Sequence, residues 1–578
     1  MTSKILWAAA IVSCIAGIAT AAPALRTVRT LTQPDGTQLQ AIAYGDEYFS
    51  FMADAASGQC LTQDKATGFW RPMSDDEATL TLNQWNTARR VAAAEASAMA
   101  NHMPSQGHVL VPVVPVQFAD FSFRDDHGTP EHLEIIYNQV DETRYAMTGA
   151  DKKDYYTSGL RQYFRDQSQG KFDPEFVINK PVTLAYSRAY YGNNSGDTKD
   201  VNYAILLSEA IDSLVARGAL ANGSQFDYDG DGQIDLIHFL FAGHGENTTG
   251  HVEEIWAKKG VHSVDVGNGL TTGNFILVPE FGVYRNDTVE STIGEKAHEM
   301  SHALGLPDFY STNKATVYDC YGMDGWSLMD QGMYSGGTQI PATYTLSERM
   351  QLGWSGEPDS VRTVGKVTLG SIFSTGNGLI LRNPANENEY ITIENHQPDN
   401  IWDMMWGNSS YTTYNRNRGL LITHVDYLPS AWSSNTVNNS PSHQRCSPLP
   451  ADGELLPYSA FNDGLVDANA FIANYFSDIF PGYRNVKVLN PLANKTAIWF
   501  TGDSIKIDIT NIEFEANGAV EITFGNPSEE VPEGTIPDGI ETLSESGALA
   551  KKTKHIVLKN GRFFINGHDL YGRKCDEE

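Results

Sequence analysis

The chain has 578 residues, with 71 Asp and Glu against 41 Lys and Arg, and a formal net charge of −30. Such a composition lacks the basic residues that neutralise phosphates, which excludes a nucleic-acid binder. Hydrophobic residues make up 41% of the sequence and aromatic residues 11%, which is enough to build large cores and excludes disorder of the whole chain. The length predicts roughly three or four structural units.

The first 22 residues have the features of a secretory signal peptide. A basic residue is followed by an apolar run and then by small residues before Pro23. We therefore predict a signal peptide over 1–22 and a secreted, extracellular protein. Cys14 also fits a loose lipoprotein cleavage pattern, but the apolar run continues past it, which favours cleavage near Ala22. No later apolar stretch reaches about 18 residues, so no membrane-spanning segment is predicted.

Residues 23–104 predict a small α+β unit in the position of a propeptide. They combine an Asp-Gly turn, segments rich in Tyr and Phe, and an Ala-rich helical stretch over 85–99. Cys60 lies in this unit, and its thiolate is a candidate zinc ligand for keeping an enzyme latent. The cysteines are too few and too scattered for a disulfide scaffold, although a bridge between Cys320 and Cys446 is compatible with an oxidising compartment.

Residues 105–360 predict a mixed domain of helices and strands. The run at 109–121, VLVPVVPVQFADF, is typical of a buried strand, and Pro112 and Pro115 predict that part of it lies at a sheet edge. The periodicity of apolar residues predicts three further elements: helices over 159–169 and 201–217 and a strand over 236–242.

The remainder of the chain has a different texture. Short alternating runs separated by Gly, Asn and Pro predict a β-sandwich-like module over 361–525. Residues 526–553 are rich in Pro, Glu and Ser and predict a linker. The short segment 554–578 contains an Asn560-Gly561 hairpin signal. It resembles the short C-terminal sorting segments of secreted Bacteroidetes proteins, which implies contact with secretion machinery; an ordinary terminal hairpin is the alternative.

The segment TIGEKAHEMSHALGLPDFY, starting at Thr292, carries the strongest chemical signal. Thr292 and Glu295 have the spacing of a capping box, which predicts that a helix starts here, and Gly305 predicts its end. His298 and His302 are at positions i and i+4 of that helix. Both imidazoles therefore lie on one face, as the binding of a single cation requires.

Two further residues complete a predicted catalytic zinc site. Glu299 follows the first histidine directly and is placed to act as a general base on a metal-bound water. After the turn at Gly305, Asp308 is placed to supply a third ligand. Three protein ligands leave one position open for water, which is the arrangement of catalytic zinc.

Downstream, two residues are candidates for supporting roles. Met329 lies in a Gly-rich turn, where its thioether would form an apolar floor beneath the histidines; ordinary core packing is the alternative. Tyr334 is a candidate for stabilising the oxyanion of the transition state, with buried packing as its alternative.

A second metal loop is predicted before the strand at 236–242. Carboxylates and a turn glycine occur at the spacing of a calcium loop, with Gly232 where the sharp turn needs it. His238 replaces the bidentate Glu of the last position, so the loop departs from a full EF-hand, and a solvated turn is the alternative. The predicted calcium ligands are Asp227, Asp229, Asp231, Gln233 and Asp235.

The motif His298-Glu299-x-x-His302-x-x-Gly305-x-Pro307-Asp308, followed by Trp326-Ser327-Leu328-Met329, resembles the immune inhibitor A family of secreted zinc metallopeptidases. The likeness covers roughly residues 105 to 525. It includes further segments at 109–123, 160–173, 228–246, 254–257, 352–354, 389–397 and 419–427.

The resemblance implies a metzincin-type zincin fold with a β-rich module behind it, and endopeptidase activity. It assigns the zinc ligands to His298, His302 and Asp308 and the general base to Glu299. Metzincins more commonly have His as the third ligand, so a thermolysin-like arrangement with a later glutamate, such as Glu348, stays open.

We thus predict an α+β protein with a zincin/metzincin-like catalytic domain, an N-terminal propeptide and a C-terminal β-sandwich-like module. The predicted function is a secreted zinc endopeptidase, made as a zymogen, that hydrolyses proteins or peptides and also binds structural calcium. A catalytically silent surface adhesin on a zincin scaffold is the alternative. Glu299 and all ligands are present, which favours the enzyme. An aminopeptidase would need a closed pocket for a free amine.

Overall fold

The structure, a computed structural model, describes residues 20–77 and 103–525 with short internal gaps, of which 404–418 and 461–467 are the longest, and three strands within 556–569. Most of the predicted signal peptide, the helix at 85–99 and the linker at 526–553 lie outside the described residues. Within the described part, no helix is long and apolar enough to cross a membrane.

The N-terminal unit is an antiparallel sheet of five strands in sequential order. Its small core is apolar and includes Trp256 of the next domain, so the unit packs against that domain. The unit's strands are β2 (Val28–Thr32), β3 (Gln38–Gly45), β4 (Ser50–Asp54), β5 (Cys60–Gln63) and β6 (Trp70–Pro72).

The central domain is built on a nine-stranded sheet, ordered β1-β13-β15-β12-β7-β10, with three short strands beside this path. The inner strands are parallel, whereas β13 pairs antiparallel with β15 and carries β1 on its outer edge. The strands are β1 (Thr20–Ala21), β7 (Gly107–Gln117), β10 (Phe172–Ile178), β11 (Val182–Thr183), β12 (Gln233–His244), β13 (Lys258–Val261), β14 (Asp265–Gly267), β15 (Leu270–Tyr284) and β16 (Asp287–Glu290), with β8 (Tyr145–Thr148) and β9 (Asp154–Thr157) as a separate hairpin.

The expectation that prolines move β7 to a sheet edge is wrong, because β7 pairs with β10 and β12 on its two sides. The two neighbours cover different parts of β7. Pro112 is aligned only with Val177 of β10, and Pro115 only with Leu240 of β12. At each proline, therefore, only one strand is paired with β7, and the other side of β7 has no partner there that would need the missing N–H.

Helices and loops cover both faces of the sheet, which explains the continuous apolar runs in its strands. Along β7, Val111 and Val113 belong to one core and Val114 and Val116 to the other. The helices are α1 (Pro130–Asn138), α2 (Leu160–Gln167), α3 (Arg188–Gly192), α4 (Tyr203–Ala216), α5 (Glu246–Thr249), α6 (Gly294–Ala303) and α7 (Leu346–Gln351), with 3₁₀ turns at Gly223–Phe226, Asp324–Trp326 and Gln331–Tyr334.

The C-terminal module consists of a five-stranded and a three-stranded sheet that share one apolar core. Cys446, in the module's five-stranded sheet, is a buried thiol that is not bridged to Cys320. The elements are β17 (Asp359–Ser360), β18 (Gly365–Leu369), α8 (Ile372–Thr375), β19 (Leu379–Asn383), β20 (Asn386–His396), β21 (Gly419–Asp426), α9 (Pro429–Ser433), β22 (Cys446–Pro448), α10 (Ala468–Tyr475), β23 (Asp508–Phe514) and β24 (Val520–Gly525). A separate antiparallel sheet of three strands contains β25 (Ile556–Lys559), β26 (Arg562–Ile565) and β27 (His568–Asp569).

A buried charged cluster joins the module to the central domain. His396 lies between two carboxylates: its Nε2 is 2.9 Å from Glu394 Oε1 and its Nδ1 is 3.4 Å from Asp403 Oδ1. Both carboxylates reach across the boundary, because Asp403 accepts from the Thr343 hydroxyl at 2.7 Å and Glu394 from the backbone N–H of Leu346. Although burial opposes the charge, the two carboxylates raise the pKa of His396 to about 9.

This cluster predicts a loss of stability at alkaline pH. The folded pKa of His396, about 9, lies above its unfolded value, so the stabilisation is fully present below pH ~6.5 and is lost as the pH rises through 9. We expect His396→Gln to lower the free energy of unfolding at neutral pH by on the order of 3 kcal/mol. It should also flatten the dependence of Tm on pH between pH ~6.5 and 9.

The control is His251→Gln, which changes an exposed histidine of the central domain and should leave this slope unchanged. Parallel Tm curves for the wild type and His396→Gln across that pH range would contradict a charged His396 in the cluster.

Candidate metal centre

Helix α6 carries the two histidines and is buried along its whole length. Its start differs from the predicted capping box. Ile293 occupies the N-cap position without a side-chain hydrogen bond, and Glu295 instead accepts from the Ser291 hydroxyl at 2.7 Å. The end agrees with expectation, because Gly305 follows the last turn with φ of +106°, a conformation that favours glycine.

Both histidines of α6 are held so that their Nε2 atoms point to one place. His298 Nδ1 is 2.9 Å from the carbonyl oxygen of Leu328, and His302 Nδ1 is 2.8 Å from that of Leu306. A carbonyl can only accept, so each Nδ1 carries the proton and each Nε2 presents a lone pair. Burial lowers the pKa of His298, which favours the same neutral form.

Asp308 completes a triangle with these atoms. Its Oδ1 lies 3.3 Å from Nε2 of both histidines, and the two Nε2 atoms are 3.2 Å apart. Asn435 fixes this carboxylate: its amide donates to Asp308 Oδ2 at 2.6 Å and its oxygen accepts from the Asp308 backbone N–H at 2.7 Å.

The triangle fits a tetrahedrally bound zinc ion. Ligands about 2.0–2.1 Å from zinc are roughly 3.3 Å apart, which matches all three edges. Asp308 Oδ1 is buried and has no hydrogen-bond donor, because the two nitrogens facing it have no proton to give. Three buried acceptor atoms that converge in this way repel one another unless a cation lies between them.

Glu299 lies beside the triangle, and its two oxygens have different surroundings. Oε1 accepts from the backbone N–H of Ala22 at 2.6 Å, whereas Oε2 is buried without a hydrogen-bond partner. Burial raises the pKa of the Glu299 carboxyl well above its usual value; the charge of Asp308 raises it further, and the N–H of Ala22 lowers it. A carboxyl with a raised pKa is suited to accept a proton and return it.

The turn containing Met329 positions the ligands through its backbone. Leu328 holds His298, and the Met329 carbonyl accepts from Phe309, the residue after Asp308, at 2.8 Å. The Met329 side chain is fully buried in the core that contains α6.

Glu348, the alternative third ligand, does not join the triangle. Its Oε1 accepts from the Ser327 hydroxyl at 2.6 Å and its Oε2 from Thr345, where it forms the capping box of α7. Burial raises the pKa of Glu348 to about 7 despite these hydrogen bonds. This glutamate therefore supports the turn at Ser327.

The N-terminal segment passes beside Glu299, through a space bounded by β13, Trp256 and Tyr334 that we call the cleft. Thr20–Ala21 pairs antiparallel with Lys258–Lys259 at the edge of the sheet, and Ala22 O accepts from Trp256 Nε1 at 2.9 Å. Beyond Ala22, the Tyr334 hydroxyl donates to Pro23 O at 2.6 Å. Tyr334 and Glu299 thus contact neighbouring residues of the segment: Tyr334 binds the carbonyl of Pro23, and Glu299 binds the N–H of Ala22.

The predicted calcium loop brings three of its carboxylates together. Ligand atoms of Asp227, Asp229 and Asp235 lie within 4.8 Å of one another. Asp231 accepts from Gln233, through the backbone N–H at 2.8 Å and the side-chain amide at 3.0 Å. Burial, together with the neighbouring carboxylates, raises the pKa of Asp235 to about 6.

His238, at the last position of the loop, is fully buried and 3.0 Å from the Tyr137 hydroxyl. It therefore faces the core and contributes nothing to the loop.

Sequence reasoning missed three residues that hold the site. Asn435 lies 127 residues from Asp308 in sequence, so no spacing could have linked them. Asn247 binds both Glu295 and Tyr334, at 2.7 and 3.1 Å. Trp256 lies in the 254–257 segment, whose only signal in the sequence is the family likeness.

Two histidines on one helix face, an intervening glutamate and a third carboxylate are the arrangement of metal-dependent peptidases. Residues 100–352 match the model of the immune inhibitor A peptidase M6 catalytic domain. Residues 100–352 thus form a domain of the immune inhibitor A peptidase type.

Two relatives align over 263 residues, or 39% of this chain. Pre-pro-metalloprotease PrtV of Vibrio cholerae is 28% identical, and Immune inhibitor A of Bacillus thuringiensis subsp. alesti is 25% identical. The aligned part spans only 28% and 36% of those relatives. A solved structure of catalytically inactive OgpA from Akkermansia muciniphila, bound to an O-glycopeptide, aligns at 14% identity over 52% of this chain and 75% of that one; its TM-score of 0.20 supports no conclusion.

Proposed function

We propose that this protein is a secreted zinc endopeptidase of the zincin type, made as a zymogen. The observation that carries the proposal is the triangle of His298, His302 and Asp308 beside Glu299. These three residues would hold zinc, which when bound polarises the scissile carbonyl and makes water acidic enough to lose a proton near neutral pH.

Glu299 is the proposed general base. Its Oε1 already accepts a peptide N–H, that of Ala22, at 2.6 Å, so a peptide nitrogen can reach this oxygen without rearrangement. A carboxylate in this position can take a proton from the attacking water and deliver it to the leaving amine. The Tyr334 hydroxyl, which donates to the Pro23 carbonyl, is the proposed donor to a substrate carbonyl.

The path of the N-terminal segment supports an endopeptidase. An extended peptide adds to the edge strand β13 by antiparallel pairing, which is a common mode of peptide recognition. The segment continues on both sides of Glu299, with Thr20–Ala21 before it and Leu25, whose N–H donates to Asn247 O at 3.0 Å, after it. A cleft that passes a chain through at both ends suits internal cleavage, whereas an aminopeptidase would enclose a free amine.

The same contacts support latency. The segment satisfies Glu299 and Tyr334, so a substrate cannot reach either while the segment remains in place. Because the contact with Glu299 is made by Ala22, latency of the secreted form requires that the signal peptide be cleaved before Ala22 and not after it. Cys60 pairs with Ala53 within the N-terminal sheet, and a backbone N–H makes the contact with Glu299. We therefore propose inhibition by main-chain occupation of the cleft instead of by a thiolate.

The aspartate loop is the proposed structural calcium site. Gly230 and Gly232 have φ of +75° and +85°, which lets the loop turn three carboxylates toward one point. The Tyr228 hydroxyl accepts from the backbone N–H of Leu110 in β7, so the loop is attached to the central sheet. A cation would relieve the repulsion among the carboxylates and stabilise this attachment.

The assignment of Glu299 predicts that Glu299→Ala abolishes turnover while retaining metal. After removal of the N-terminal unit, casein hydrolysis should fall by about 10²–10⁴-fold, because proton transfer is lost. The zinc content, measured by mass spectrometry, should equal that of the wild type. Asp308→Ala, by contrast, should lose both zinc and hydrolysis.

Glu134→Ala, at an exposed position of α1, is the matched control and should keep both properties. If the wild type shows no chelator-sensitive hydrolysis after removal of its N-terminal unit, the result would favour the catalytically silent adhesin. Hydrolysis by Glu299→Ala at the wild-type rate would show that Glu299 is not the general base.

Latency predicts that Ala22→Pro activates the full chain in which residues 1–22 and the N-terminal unit are both retained. Proline has no N–H, so Glu299 loses its donor, and a hydrogen bond to a charged group contributes about 1.5–3 kcal/mol. We expect hydrolysis of a quenched fluorescent peptide by the unprocessed chain to rise about tenfold to a hundredfold. Ala24→Pro removes an equivalent N–H bond, to Gly45 O at 2.9 Å, and should activate less. Equal activation by both variants would place latency in the fold of the unit instead of at Glu299.

The calcium loop predicts calcium-dependent stability. With zinc kept saturating, withdrawal of calcium should lower Tm by about 5–10 °C, as expected for losing a ligand present at about a hundred times its Kd. Asp229→Asn should remove the calcium effect. Asp265→Asn is the control, since Asp265 is the exposed first residue of β14 and accepts one backbone N–H, from Gly267, at 2.8 Å. A calcium-independent Tm in the wild type would show that the loop is only a solvated turn.

A further inference from the structure

A second group of side chains that could bind a metal links the start of α1 with the segment before α6. His127 precedes α1, His132 lies in its first turn, and Glu290 ends β16. One ligand atom from each lies within 4.8 Å of the other two. We propose that His127, His132 and Glu290 bind a second divalent transition-metal ion, with zinc as the expected occupant.

The two imidazoles converge on one carboxylate oxygen. His132 Nε2 is 2.7 Å from Glu290 Oε1, and His127 Nδ1 is 4.0 Å from the same atom. The rings stack with centroids 4.9 Å apart and planes 15° apart. Although burial opposes it, Glu280 and Glu290 raise the pKa of His127, so a metal ion bound here would take the place of the proton that these carboxylates favour.

Glu280 adds a second carboxylate next to His127. It is nearly fully buried, and its Oε1 lies 2.8 Å from His127 Nδ1. Two backbone N–H groups hold this carboxylate: Arg124 donates to Oε1 at 3.0 Å and Gly243 to Oε2 at 2.9 Å. Because Glu280 faces the same ring nitrogen as Glu290, it would place a second negative charge next to the ion, which favours a divalent cation.

The donor set indicates the class of ion. Two imidazole nitrogens and one carboxylate suit zinc and related transition metals, whereas calcium prefers oxygen ligands alone. The side chains of His127 and His132 are 17% and 20% exposed, so the ion has a path to solvent and water can complete its coordination.

Such an ion would connect α1 to the segment that leads into α6. The Glu290 carbonyl accepts from the Gln339 amide at 3.5 Å, and the next residue, Ser291, donates to Glu295 of α6. The ion would therefore fix the entry of the chain into the helix that carries His298 and His302, and its role is structural.

The test is the transition-metal content of the full chain after gel filtration from zinc-containing buffer. We expect two equivalents in the wild type, one in His132→Gln, one in the double variant His298→Gln/His302→Gln, and none when all three changes are combined. Gln can keep a hydrogen bond to Glu290, which favours retention of the fold. Cobalt substitution of the double variant should give an absorption band that His132→Gln removes.

His108→Gln is the matched control, because His108 also pairs with a carboxylate, Glu175, at 3.0 Å, but has no second histidine beside it. It should keep two equivalents. If His132→Gln does not fold, Glu290→Gln replaces it with the same expectation. A double variant that holds no metal, or a wild type that holds one equivalent, would overturn the second site while leaving the zinc site at Asp308 intact.

Discussion

The structure depends on three acceptor atoms that meet in the interior with no proton between them. The Nε2 atoms of His298 and His302 and Oδ1 of Asp308 lie 3.2–3.3 Å apart. Carbonyl groups fix the proton of each histidine on its other nitrogen, so neither ring can relieve the repulsion by donating. This arrangement is costly without a cation, and the surrounding fold must hold it in place.

That support comes from distant parts of the chain. The turn at Leu328 holds the first histidine, Glu348 holds that turn through Ser327, and Asn435 of the C-terminal module holds Asp308. The module is in turn anchored to the central domain by the buried cluster at His396. The geometry of the centre therefore depends on the boundary between two structural units.

The sequence predicted the parts of the site that local spacing determines. The positions of His298 and His302 on one helix face follow from a period of 3.6 residues, and the grouping of Asp227, Asp229 and Asp235 follows from turn geometry. Sequence spacing gave a wrong prediction where tertiary contacts compete with a local hydrogen bond. Glu295 fits a capping box, but the hydroxyl of Ser291 and the amide of Asn247 both bind it, so it does not cap the helix. The partners of Asp308 and Glu299 lie 127 and 277 residues away and leave no local pattern.

The proposed latency rests on the contact between Ala22 and Glu299, and a contact of this kind is hard to recognise in a sequence. A thiolate or carboxylate that blocks a metal leaves a residue type to search for, whereas a backbone N–H leaves none. Main-chain pairing with β13 also requires no particular side chains, only an extended segment of the right length. An inhibitor of this kind uses the same hydrogen bonds as a substrate, so what separates the two is how firmly the attached N-terminal sheet holds the segment in the cleft.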